Sequence, residues 1–178
     1  TNIMAAPIQY LGRDAKDMRY RFNWNAPIIW SKHESNTYYH GAQYLLRTRD
    51  MGTTWEKVSP DLTKNEIDKQ GKGGGPYTNE AVGAENYGTL SYVAESKHEK
   101  GVIWVGTDDG LVQLTKDGGA SWQNVTPKGL KECLVNAIDI SPHDPATAYI
   151  ATTRYKFNDH TPALYKTTNY GKTWTNIT

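Results

Sequence analysis

The sequence predicts an all-β protein assembled from repeated four-stranded antiparallel units, and three observations predict it. One string recurs: "TRDMGTTW" over 48–55, "TKDGGASW" over 115–122 and "TTNYGKTW" over 167–174. Its flanks recur with it. "YLLRT", "LVQLT" and "ALYKT" lead in, while "WEKVSP", "WQNVTP" and "WTNIT" lead out; each is a short alternating run, so each string reads as a turn between two strands of a hairpin. The aromatic residues are 12 Tyr and 6 Trp against 2 Phe, rings with a polar edge that suit sheet surfaces. No stretch longer than a few residues shows helical periodicity.

Two further β-rich runs precede each hairpin. They are "APIIWS" and "TYYHG" in the first unit, "TLSYVAES" and "GVIWVGT" in the second, "VNAIDIS" and "TAYIATT" in the third. Each unit therefore has strands a to d, with the repeated string between c and d. "SKHESN", "KHEK" and "PHDPA" supply polar turn formers between a and b. Asp109 and Gly110 mark a tight b to c turn in the second unit.

Folding chemistry explains every fixed residue of the string. The side chains of Asp50, Asp117 and Asn169 accept from the amides that follow them, and Gly52, Gly119 and Gly171 supply positive φ. Thr48, Thr115 and Thr167 add a hydroxyl bond across the turn, and Trp55, Trp122 and Trp174 close over the sheet. Asn169 cannot serve as a carboxylate base, which assigns the string to shape rather than catalysis.

These strings resemble the Asp-box, or BNR repeat, S/T-x-D-x-G-x-x-W, found in β-propellers of sialidases, xyloglucan-cleaving glycosidases and the sortilin/Vps10 group. Together with "RFNWNAPI", "SPDLT", "WVGTDDGLVQLTKDGG" and "SPHDP", they make the chain similar to sortilin-like bacterial proteins of the "glycosyl hydrolase, BNR repeat" type, over about residues 20–178. The resemblance implies a β-propeller of four-stranded blades, about three of them present, with the Asp-box a structural turn away from the ligand. It also implies a secreted, periplasmic or cell-surface location. The divisions expected are 1–27, a lead-in or strand of a preceding blade; 28–59, blade one; 60–89, an inter-blade insertion; 90–127, blade two; and 128–178, blade three. Propellers need about four to eight blades, so the chain is expected to be a fragment or to complete its ring with blades of the same or another chain.

Composition excludes several function classes. A net charge of +1 gives no field for nucleic acid, and no apolar run approaches the roughly 20 residues of a membrane helix. Cys133, the single cysteine, rules out an internal disulfide and reads as a small buried apolar residue. His33, His40, His98, His143 and His160 lack metal-ligand spacing, so neither a metal nor a cofactor is expected.

Strand alternation sends the a–b and c–d connections to one face, and the b–c and d–a connections to the other. Function is expected on the second face, where loops meet a rigid scaffold. Its candidates are the 60–89 insertion, with Glu80, Glu85 and Tyr87, and the segment "RYKFNDHTP", with Arg154, Tyr155, Asp159 and His160. Arg21 and Trp24 either line the channel mouth or pack between blades, while Asp108 and Asp109 serve their turn. "GKGGGP" lacks the Lys-Ser/Thr ending and the helix of a phosphate loop.

Glycoside hydrolysis needs two carboxylates roughly 5 to 10 Å apart. Glu80, Glu85 and Asp159 are the candidates, but the arginine signature of sialidases is missing and no aspartate matches the xyloglucan-cleaving enzymes. The ranking is therefore a noncatalytic scaffold binding protein, peptide or glycan, then a segment of a glycoside hydrolase, then an architectural domain of a larger assembly.

Overall fold

The computed structural model describes residues 5, 12–71, 77 and 84–178. Among the described residues twelve strands form three four-stranded antiparallel meanders. Blade one is β1 (Ile28–Trp30), β2 (Tyr38–Gly41), β3 (Leu45–Thr48) and β4 (Glu56–Lys57). Blade two is β5 (Leu90–Glu95), β6 (Ile103–Thr107), β7 (Val112–Thr115) and β8 (Gln123–Asn124), and blade three is β9 (Leu134–Ile140), β10 (Ala148–Arg154), β11 (Asp159–Thr167) and β12 (Thr175–Asn176). The described helices are single 3-10 turns at Ala15–Asp17, Ile67–Lys69 and Tyr155–Phe157. No helix among the described residues is long and apolar enough to cross a membrane.

The pleat sends alternate side chains to opposite faces of a blade, so a central blade must be apolar on both. All five residues of β6 are buried. Ile103 and Val105 join Tyr39, Leu45 and Leu90 in the core between blades one and two. Trp104 joins Val112, Leu114, Ile138 and Ile150 in the core between blades two and three. Each fully buried aliphatic side chain contributes about 1.5–3 kcal/mol, and these two seams carry most of them.

The repeated turn holds itself together and then holds the neighbouring blade. In blade two the Thr115 hydroxyl donates to Asp117 (2.8 Å) and accepts from the Gly119 amide (2.9 Å), while Asp117 accepts from the Ser121 amide (2.8 Å). The Thr48–Asp50 and Thr167–Asn169 turns repeat the pattern. Hydrogen bonds from Ser121 and Thr115 hold Asp117 down to about 2, and those from Thr54 and Thr48 do the same for Asp50. The indole of the turn reaches backwards: Trp122 donates to the Val58 carbonyl (3.0 Å) and Trp174 to the Val125 carbonyl (2.7 Å). Gly119 and Gly171 pack on those same valines. Val58, Val125 and Ile177 occupy one register position, each donating its amide to strand c of its own blade.

A second repeat, in the a–b turns, makes a parallel set of bonds: Ser31-x-His33-Glu34, Ser96-x-His98-Glu99 and Ser141-x-His143-Asp144. Each serine hydroxyl accepts from the amide of its histidine. His33 then meets the Ser96 carbonyl (2.7 Å) and His98 the Ser141 carbonyl (3.1 Å) through Nε2. A carbonyl only accepts, so Nε2 carries the proton in both. Glu34 pairs with Lys100 (2.8 Å) and Glu99 accepts from the Tyr170 hydroxyl (2.7 Å), adding two more bonds to the next blade.

The described part of 1–27 is coil with one 3-10 turn and an isolated bridge between Asn23 and Glu85. Tyr20 and Phe22 cover the rear of blade one, packing with Leu46, Ala42 and Trp55, and Phe22 stacks on His40 at 4.8 Å. The segment thus lies face-on over the sheet instead of pairing with its edge.

Candidate functional site

Two long-range devices build the b–c face. Arg21, nearly fully buried, turns its guanidinium onto the Gly88 carbonyl (3.0 Å), Asp61 (2.8 Å) and Thr63 (3.1 Å). It therefore pins the lead-in to both ends of the 60–89 insertion. Gln43 fixes the same stretch by accepting from the Arg21 amide and donating to the Arg19 carbonyl. The second device is the b–c turn of blade two. Asp109 accepts from the Lys64 amide (2.7 Å) and the Thr107 hydroxyl (2.5 Å), and Asp108 from the Thr89 amide (2.8 Å) and hydroxyl (3.2 Å). The adjacent aspartates clamp the two ends of the insertion, a task beyond the local turn expected of them.

Burying two carboxyls side by side is costly for their charged forms. Asp108 is pushed up to about 7, first by burial and then by Asp109, against the pull of the Thr89 amide and Lys156. Burial also raises Asp109, opposed by the Thr107 hydroxyl. Because the folded pKa of Asp108 lies above its ordinary 3.8, its contribution to stability is complete at acid pH and is lost as pH rises through about 7. Asp108→Asn is expected to make the fall in melting temperature between pH 5 and 8 shallower, regaining about 1 kcal/mol, roughly 2–4 °C, at pH 8. An unchanged slope would assign the pH dependence elsewhere.

The two candidate regions of the face meet. Tyr87 is buried and its hydroxyl donates to Glu132, which also pairs with Lys69 (2.9 Å) and whose carbonyl accepts from Arg154. Tyr77 stands 4.6 Å from the Tyr87 ring and 6.3 Å from that of Phe157, and Arg154 lies over Phe157 at 5.0 Å. Burial of Glu132 works against its ionisation, but the Tyr87 hydroxyl and Lys69 outweigh it and lower its pKa.

The remaining candidates fall into distinct settings. Trp24 is 68% exposed and donates its indole N–H to Glu85. Tyr155 is 54% exposed. Arg154 pairs with Asp159 (2.9 Å), and that pairing with the Thr161 bonds holds Asp159 down to about 2, which removes it as a proton donor near neutral pH. Arg154 closes β10 and Asp159 opens β11, so His160, expected in a loop, is an exposed residue of β11. Arg21 is buried, its guanidinium held by Gly88, Asp61 and Thr63. Glu80 lies outside the described residues.

A cavity of about 180 Å³ opens on this face, lined by Asn23, Asn25, Ser91, Asp108, Asn136 and Tyr155 among others. The inner strands β1, β5 and β9 border a larger concavity, about 530 Å³, with Trp30 and Tyr92 in its wall. Among the described residues no group of three His, Cys, Asp or Glu could hold a metal. Burial pushes the Cys133 thiol up to about 11, so it is a poor nucleophile.

No protein-family model and no curated protein matches the chain. Solved structures do match. An ancestral GH74 enzyme aligns with a TM-score of 0.61 at 12% identity, over 97% of this chain and 20% of its own. The GH74 enzyme of Niastella koreensis aligns at 0.54 and 18% identity, over 90% and 21%. YCF48 bound to D1 peptide aligns at 0.53 and 19% identity, over 88% and 42%. All three are β-propellers.

The fold is a partial β-propeller. At these identities the likeness carries the architecture alone. The chain spans from about a fifth to about two-fifths of the length of these structures. Its three four-stranded sheets match propeller blades in them.

Proposed function

We propose that the chain belongs to a secreted or cell-surface Asp-box β-propeller and acts as a noncatalytic scaffold, binding a protein, peptide or glycan through the face that carries the b–c loops. One observation carries the reading. The lead-in, the insertion and the blade-three b–c segment, far apart in sequence, converge on one polar face, and there Glu85, Glu132 and Asp159 are each engaged by an indole, hydroxyl or cationic partner. Such an arrangement orders a binding surface rather than freeing acids for chemistry. The solved structure of YCF48 with D1 peptide supports ligand binding by a propeller of this shape. Further blades are the implied structural partners.

The test is binding of the full chain to glycan and peptide arrays, with a reducing-sugar assay on the same polysaccharides. Retention of one ligand class, weakened by Trp24→Ala or Tyr155→Ala, without sugar release, is the expected result. Retention unaffected by either variant would place binding elsewhere.

A glycoside hydrolase segment is the second reading, favoured by Asp108. It is among the residues lining the 180 Å³ cavity, and burial raises its pKa to about 7, the direction a general acid requires. Sugar release abolished by Asp108→Asn would establish it and displace the scaffold reading.

A further inference from the structure

We infer that the 180 Å³ cavity between the lead-in and blades two and three is a recognition pocket for one ring of a neutral, polyhydroxylated ligand, a sugar residue. The inference rests on the scaffold reading and names the ligand class of the same face.

Hydrogen-bonding capacity comes first. The Asn25 side-chain amide makes no hydrogen bond among the described residues. Asn136 accepts from the Thr153 hydroxyl (2.8 Å) through its oxygen, and its amide nitrogen has no partner among them. Ser91 gives its only hydroxyl proton to the Val135 carbonyl (2.7 Å), so it presents an acceptor. Asp108 takes one hydrogen bond from Thr89 on each oxygen, which leaves further lone pairs on those oxygens. The pocket therefore mixes amide donors with oxygen acceptors within one small volume. A hydroxyl both donates and accepts, so a ring bearing several of them matches this mixture, whereas a purely accepting anion or a purely donating cation does not.

Size points the same way. At about 180 Å³ the cavity is smaller than the roughly 300–1,000 Å³ of sites that enclose drug-sized ligands. One ring enters, and the remainder of a chain lies over the surface. Tyr155, exposed at the rim, offers a flat apolar face with a polar edge, suited to the C–H face of a sugar ring.

Titration of the full chain with glucose, galactose, mannose, xylose and N-acetylglucosamine, followed by NMR or calorimetry, tests the inference. Sialic acid serves as the anionic control and a peptide array runs beside it. At least one neutral sugar is expected to bind more tightly than sialic acid. Asn136→Ala and Tyr155→Ala should each weaken it about tenfold, the loss of one well-made contact. Trp30→Ala, in the separate inner concavity, should leave it unchanged, and melting temperatures confirm that the variants fold. Preference for sialic acid, or sugar binding lost on Trp30→Ala and retained by the other two variants, overturns the inference. Peptide binding at this face without binding of any neutral sugar overturns it while leaving the scaffold reading in place. Absence of every ligand class from the face removes both.

Discussion

Gly119→Ala lowers the melting temperature by about 6 to 12 °C, the equivalent of about 3 kcal/mol in a chain of this size. Two costs add. Gly119 sits at φ +102°, where a Cβ is strained, and that Cβ would press into the Val58 carbonyl oxygen and lie 3.1 Å from the Val58 Cβ. The oxygen is also the acceptor for Trp122, so displacing it loosens the indole clasp between blades one and two. Gly118→Ala is the control. Its φ is +70°, but a Cβ there meets nothing within 4 Å, so only the backbone cost of about 1–2 kcal/mol remains. Equal losses in the two variants would show that turn conformation alone, and no inter-blade contact, sets the requirement. Gly171→Ala should behave like Gly119→Ala, because its Cβ would come 2.7 Å from that of Val125.

Arg21→Ala costs about 3 kcal/mol, the lower end of the range for breaking a buried ion pair, because Asp61 retains some solvent contact. The loss is distributed in a way that can be measured. Without the guanidinium, the Gly88 carbonyl and the Thr63 hydroxyl lose a common donor, and both ends of the insertion come loose from the lead-in. Limited proteolysis should accelerate within 60–89 before the blades unfold. Arg21→Lys should resemble the alanine variant, since one ammonium cannot span three acceptors held in a guanidinium fork. Unchanged cleavage of 60–89 in both variants would show that Asp108 and Asp109 hold the insertion without help.

What the sequence displays is what lies within about eight residues. The repeated turn is a closed local circuit from Thr115 to Ser121, so its chemistry is written in consecutive letters. The strands flanking it follow from alternation. The partners that organise the site lie far along the chain: Arg21 reaches Gly88, Lys64 reaches Asp109 and Trp122 reaches Val58. No local pattern encodes those pairings, so Asp108 and Asp109 read as turn residues, and Arg21 reads equally as lining the channel mouth or packing between blades. Two signals were nevertheless present. A β-branched residue stands three places after each tryptophan, at Val58, Val125 and Ile177, and Ser-x-His-acid recurs at 31, 96 and 141. Both are seams between blades, visible as repeats although their partners are not.

The Tyr20–Phe22 cover has a consequence for blade one. Leu46 and Ala42 lie beneath its rings on one side, and Tyr39 and Leu45 press against blade two on the other. The middle of the first sheet is thereby kept from water on both of its sides, as that of the second sheet is by its two neighbours.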